Sequence, residues 1–321
     1  MSDEDIFGLF RQMRWGKTNG EPVCPQCECE EHYYIKARKQ WRCKFCNHTF
    51  SVTSGTWLGS TKLPLRTILI GVVALANAAK GMSALQLMRY MGVQYKTAYI
   101  FYHKLRDALH QTRHDQPALK GQVEMDGAYI NPSKRFPNKV ADRREKTKLS
   151  NRPKQCVIVE RMRSTDGLGA CRTLTYVVET ERAEDITDIA EQDIVPGTEI
   201  FTDCHSGYSD LMVSFDHTTV NHDVCFIGPN GENTNQAESF FSRFRRLIRG
   251  QTHQVGPEYL ELYANEVAYR EDTRRWDNQR ITFDMLSRML SDEDNGKKSR
   301  FRGYWNYTRR NRGAEDLVLA A

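Results

Sequence analysis

The chain has no apolar run long enough to cross a membrane. Its longest, residues 68–79, is 12 residues and is interrupted by Asn77, whereas a spanning helix needs about 20. It has little excess of either charge. Its 46 Lys and Arg against 41 Asp and Glu leave +5 over 321 residues, so net charge alone names no partner. The acidic start, Met1-Ser-Asp-Glu-Asp-Ile, lacks the basic region of an export signal, and a soluble, non-exported protein is expected. Internal repeats and long low-complexity stretches are also missing. What remains is ordinary globular composition, 39% hydrophobic and 27% charged, at a length that allows roughly two domains.

Cysteine is the residue in unusual supply. There are nine, an odd number, and Cys24-Pro-Gln-Cys27 and Cys43-Lys-Phe-Cys46 form two C-x2-C pairs separated by 15 residues. Without an export signal, paired cysteines read as metal ligands before disulfides. This spacing suits a four-thiolate structural zinc site, with a redox dithiol as the bland alternative. Residues 33–35 and 40–42 read as short strands between the pairs. Such a module has almost no core, so the ion would supply its folding free energy. Cys29 and His48 lie nearby, but the four paired thiols close the shell. The isolated Cys156, Cys171, Cys204 and Cys225 are expected to be buried free thiols.

Hydrophobic spacing predicts an amphipathic helix within 1–20, with Ile6, Phe7, Phe10 and Met13 on one face. Three more helices are expected over 67–79, 83–90 and 94–110, punctuated by Gly81 and Gly92. The last two form a helix-turn-helix candidate whose second helix opens with Gln94, Lys96 and Thr97, positions that would face base edges and phosphates. A plain helical linker is the bland reading.

After Pro117 the pattern changes. Strands are expected over 122–130, 156–161, 172–178 and 199–202, and helices over 184–191, 234–249 and 257–274, a mixed α/β domain. Three acids stand out there: Asp126 and Asp203, which close or interrupt strands, and Glu238, which opens a helix. Carboxylates gathered from separate elements are what hard divalent cations need for phosphoryl chemistry. Each has a modest alternative: Asp126-Gly127 as a turn, Asp203 as a local cap, and Asn235-x-x-Glu238 as a capping box. Glu124 shares a strand face with Asp126 and is the weaker candidate ligand.

On the helix after Glu238, Phe240, Phe241, Phe244, Leu247 and Ile248 make an apolar stripe that should pack on a sheet. Arg243, Arg245, Arg246 and Arg249 add positive charge, and His253 follows; cations beside carboxylates suit a phosphate backbone. The connection 132–155 carries nine Lys or Arg against two acids. With Lys134, Arg135, Arg143 and Arg144 at its start and middle, it would serve as a substrate-binding flap.

Taken in order, these motifs resemble the ISXO-type insertion-sequence transposases, members of the DDE superfamily. The matching features are the cysteine pairs followed by Phe50-Ser-Val-Thr-Ser-Gly-Thr56, then Glu124-Met-Asp126-Gly and Thr202-Asp203. They continue in the block from Asn233 through Glu238 and Arg245 to His253, and in Tyr263-Ala-Asn-Glu266-Val-Ala-Tyr-Arg270. Arg245 stands where the family usually has Lys, and Phe240-Phe241 where its aromatic pair often contains Trp. The resemblance implies a multidomain chain: a zinc ribbon (1–56), an all-α helix-turn-helix region (57–118), a ribonuclease-H-like α/β catalytic domain (119–290) and a basic tail (291–321). It implies Asp126, Asp203 and Glu238 as ligands of two Mg2+ or Mn2+ ions, with Asn235 as rival or helper to Glu238 and with Arg245 and His253 at the phosphate. Arg246 and Arg249 would join Gln94, Lys96 and Thr97 in holding DNA. The partners are transposon ends and target DNA, bound by a homodimer or larger assembly in the cytoplasm, at the nucleoid. Rival readings are a non-catalytic relic acting as repressor or scaffold, and a nuclease that cuts without joining.

Overall fold

The computed structural model describes residues 1–130, 154–221, 227–228 and 231–291. Lys134, Arg135, Arg143, Arg144, Cys225 and the basic tail after Ser291 lie outside the described residues. The chain forms two compact units, one holding Met1–Thr112 and the segment from Trp276 onward, the other Arg113–Arg275.

The first unit opens with α1 (Asp3–Arg14), started by a capping box. The Ser2 hydroxyl accepts the Asp5 amide at 3.1 Å, and the Asp5 carboxylate accepts the Ser2 backbone amide at 2.7 Å. Helix α1 buries Ile6 and Phe10. A three-stranded antiparallel sheet follows: β1 (His32–Ile35), β2 (Gln40–Cys43) and β3 (Thr49–Phe50). The module has more core than its sequence suggests. Trp41 stacks on Phe7 of α1 (5.6 Å), meets Trp15 edge-on (5.2 Å) and lies against Phe50 (5.9 Å). The aromatic residues of a helix 30 residues upstream therefore complete a ribbon that has little interior of its own.

Helices α2 (Leu65–Ala76), α3 (Ala84–Met91) and α4 (Tyr95–Gln111) come next. Ser83 caps α3 through the Gln86 amide at 3.1 Å, and Gly92 ends it in the left-handed region at φ 64°, a conformation that glycine adopts without a Cβ clash. A further helix, Asn278–Leu290 (α8 in chain order), packs on α1, α2 and α4. The α/β domain expected from the sequence runs to 290, whereas this helix belongs to the first unit.

The second unit holds a five-stranded sheet: β4 (Gln122–Ile130), β5 (Gln155–Arg163), β6 (Ala170–Val178), β7 (Glu199–Thr202) and β8 (Asp216–Thr219), in the order β6-β5-β4-β7-β8. Strands β4, β5 and β6 are antiparallel neighbours, and β7 and β8 run parallel to β4. Helix α5 (Ala183–Asp193) and a 3-10 turn (Ser206–Val213) cover one face. There Val123, Met125, Ile158 and Leu174 meet Ile186, Ile189, Tyr208 and Leu211 in a continuous core. Helix α6 (Asn235–Leu247) packs on β4 and β5, and α7 (Leu260–Asp272) packs on β6. The expected stripe on α6 is buried at Phe240, Phe241, Phe244 and Leu247; Ile248 is only half-buried, because a π-turn (Ile248–Thr252) takes over there.

Candidate metal centres and the carboxylate cluster

The four paired thiols converge. Cys24 Sγ lies 3.6 Å from Cys46 Sγ and Cys27 Sγ 3.5 Å from Cys43 Sγ, and all four lie within 4.8 Å of one another. A tetrahedral zinc ion with bonds of about 2.3 Å sets its sulfurs about 3.8 Å apart, so the donor set fits. The two turns that present them are built alike. In each, the residue after the second cysteine has positive φ (Glu28 58°, Asn47 60°), and its amide returns to the carbonyl of the first cysteine, at 2.9 Å for Glu28 and 3.1 Å for Asn47. Of the remaining cysteines, Cys156 is buried as expected, whereas Cys171 and Cys204 are exposed. Cys171 and Cys204 sit at or beyond strand positions that face outward, a distinction that residue type alone does not carry.

The acids are assembled differently. Asp126 is not in a turn but in the middle of β4. The parallel register pairs Glu124 with Phe201, and two residues further along it brings Asp126 beside Asp203, just past the end of β7. Burial, together with the negative charges of Asp203, Glu181 and Glu238, raises the Asp126 carboxyl to about 7, against one amide bond from Gly127 at 2.8 Å. The Asp126 carboxyl therefore feels Asp203 and Glu238, the latter 112 residues further along the chain than Asp126. The three acids are spaced more widely than the thiols. Among the described residues, the thiols are the one set of three or more ligand atoms lying within 4.8 Å of one another. Asp203 also keeps the local role considered for it, accepting the His205 amide at 3.0 Å ahead of the 3-10 turn.

Helix α6 carries Glu238 on its exposed side. The capping box expected at Asn235 is not how this helix starts. The N-cap is Thr234, whose side chain makes no cap bond. The buried carboxylate of Glu124 instead accepts the amides of Gln236 (2.6 Å) and Ala237 (3.2 Å), and Asn233 Oδ1 accepts that of Asn235 (3.1 Å). Arg163 Nε donates to Glu124 at 2.7 Å. Two β5 arginines thus secure this region: Arg163 holds the Asn233 carbonyl at 2.8 Å, and Arg161, fully buried, holds the Gln236 carbonyl at 2.7 Å.

Sequence reasoning missed Glu181, in the turn between β6 and α5. Its Oε1 accepts the Tyr208 hydroxyl at 3.2 Å and lies over Gly127, where an added Cβ would come within 1.7 Å of it. Gly127 is the only hint in the sequence, since a glycine inside a strand marks close approach by another group. Asn235, Arg245, Arg246, Arg249 and His253 are all exposed, and Arg245 lies 5.8 Å over the Phe241 ring. Arg243, counted with the basic residues, is instead paired with Glu271 of α7. At the second candidate interface, Gln94 caps α4 and is exposed, Lys96 is exposed, and Thr97 is half-buried.

Residues 118–272 match the ISXO2-like transposase domain, and residues 1–49 match the transposase zinc-ribbon domain. The chain thus carries the zinc-ribbon and transposase domains of the ISXO-type transposases it resembles. Both matched segments carry the features described above: the ribbon its four thiols, the transposase domain its sheet, α6, α7 and all three acids. No curated protein matches the chain. Among the described residues, no helix is long and apolar enough to cross a membrane.

Proposed function

We propose that this protein is an active transposase that binds the terminal inverted repeats of its insertion sequence, cuts at the 3′ ends and joins them to target DNA. What supports the reading above all is that Asp126 on β4 feels the negative charges of Asp203, just past β7, and of Glu238 on α6, all three inside the matched domain. The strand order β6-β5-β4-β7-β8, with three antiparallel strands followed by two parallel ones, supports a ribonuclease-H-like core.

The three carboxylates would hold two Mg2+ or Mn2+ ions, and Asn235 is the rival for the third position. Two ions about 4 Å apart need a wider ring of ligands than one zinc ion does, in keeping with the looser spacing of the acids. When bound, such ions offset the negative charge that builds on phosphate oxygens. Asp126 sits on β4 and Asp203 directly follows the neighbouring strand β7, so the sheet brings the two near one another. In the first step, water displaces the flanking strand and leaves a 3′-hydroxyl on the element. In the second, that hydroxyl attacks a target phosphodiester in line, and the target's own 3′ oxygen leaves. Arg245 and His253 steady phosphate charge, while Gln94, Lys96, Thr97, Arg246 and Arg249 hold DNA, two ends at a time in a dimer or larger assembly.

The test is strand transfer on the element's own ends with Mg2+ or Mn2+. Asp126→Ala and Asp203→Ala should abolish joining while DNA binding persists. Binding without any cleavage by the unaltered protein would establish the relic reading, and cutting without joining would establish a plain nuclease.

A further inference from the structure

Helix α6 begins without a cap of its own, yet all four amides of its first turn are bonded. Asn235 N–H reaches Asn233 Oδ1, Gln236 and Ala237 share Glu124 Oε2, and Glu238 N–H reaches the Thr234 carbonyl at 3.0 Å. An uncapped helix start leaves such donors for water or for a group brought from elsewhere. Here the group comes from more than 110 residues away, on the central strand. Glu124 is fully buried, and its other oxygen is taken by Arg163. The same guanidinium binds the Asn233 carbonyl and, at 3.4 Å, that of Gly231, so one ion pair holds both the helix start and the segment entering it.

The placement has a consequence for the acids. Glu124 and Asp126 lie two residues apart on one face of β4. Glu238 is the residue directly after the two amides that Glu124 binds. A rigid strand therefore carries one proposed cation ligand and, one step along the same face, the anchor for the helix that carries another. Neither Glu124 nor Arg163 needs to touch a cation to set where Glu238 stands. Buried carboxylates in this position are bonded on both oxygens, which leaves Glu124 little capacity to act as a ligand itself.

We infer that Glu124, latched by Arg163, is a positioning residue that fixes Glu238 relative to Asp126. The inference rests on the reading of Glu238 as a cation ligand, and two measurements on the full-length, zinc-loaded protein separate it from that reading. The first is hydrogen exchange. Glu124→Gln keeps the shape but loses the charge that binds two amides and a guanidinium. Exchange at 236–238 should quicken about tenfold, the usual effect of losing a cap, while β4 and β5 stay protected. Unchanged exchange at these amides overturns the clamp, whatever the protein does with metal.

The second is Mn2+ binding, followed by calorimetry in a double-mutant cycle. Glu124→Gln and Glu238→Gln should each weaken binding by about 10–100-fold, the range for groups that orient a ligand. The double variant should bind no more weakly than Glu238→Gln alone, because Glu124 acts only through Glu238. Glu124→Asp, which keeps the charge, should recover part of the loss. Penalties that multiply, or wild-type Mn2+ affinity in Glu124→Gln, overturn the positioning role. If the unaltered protein binds no Mn2+, the ligand reading of Glu238 fails with it, and the exchange result still decides the clamp.

Discussion

In the ribbon, four ligands come from two tetrapeptides, and each turn is closed by its own backbone bond from Glu28 or Asn47. In the α/β unit, three acids come from a strand, a strand end and a helix start spread over more than 110 residues, and none of them is locally arranged for the others. The first site depends on short-range geometry and an ion, the second on tertiary packing. Damage to each should therefore read out differently, which gives four ways to test the contrast.

The largest effect should follow zinc removal. Structural zinc contributes roughly 10–16 kcal/mol to small domains that depend on it. Chelation, or Cys43→Ser, should unfold β1, β2 and β3 while the five-stranded sheet survives, as hydrogen exchange would record. A ribbon that stays folded without the ion would mean that Trp41 and its aromatic neighbours suffice, and the contrast would break.

Next comes Arg161→Met. It removes the buried donor to the Gln236 carbonyl and one of the two arginines at Glu271. Leaving buried polar partners unmet costs about 3 kcal/mol. The urea midpoint of the α/β unit should fall while zinc content is unchanged.

A smaller loss is expected for Gly127→Ala, about 1 kcal/mol. The new methyl group would push the Glu181 carboxylate off the Tyr208 hydroxyl. Adding Glu181→Ala should recover most of that loss; if it does not, the strain lies in β4 itself.

The fourth test is the pH profile. The native state holds the Asp126 proton up to about 7, whereas the unfolded chain releases it near 3.8. Between those values the folded protein binds more protons, so its stability falls as pH rises through the window and levels off above it. With zinc retained and no other divalent ion present, unfolding at pH 5 and pH 8 should show this slope, and Asp126→Asn should make it shallower. It should not vanish, because burial raises Asp272 to about 7 as well and raises Glu160 well above its ordinary value. Added Mn2+ should flatten it by favouring the ionised acid.

Legibility followed the same division. The cysteine spacing and the β-branched and aromatic content of 122–130 at strand length named their elements directly, and the apolar spacing of Phe240, Phe244 and Leu247 named the buried face of α6. The edge strand β8, Asp216–Thr219, was missed because four polar residues carry no alternation of hydrophobicity. The 3-10 turn before it was missed because its apolar residues follow no helical period. Helix α8 has an ordinary cap at Asp277 but lies beyond the last motif of the family resemblance. The acids were found as individuals, but Glu181 was not, because nothing near it in the chain distinguishes it from a surface glutamate.

By itself, the amino-acid order determined which segments become helix or strand and which four sulfurs can share an ion, because both depend on contacts between residues close along the chain. Only the tertiary structure decided that Glu124 caps a helix rather than binding a cation, that Asp126 lies beside Asp203, and that Glu181 faces Gly127. Those outcomes depend on which strands become neighbours and on which charges lose their water together, and neither is written in any local stretch.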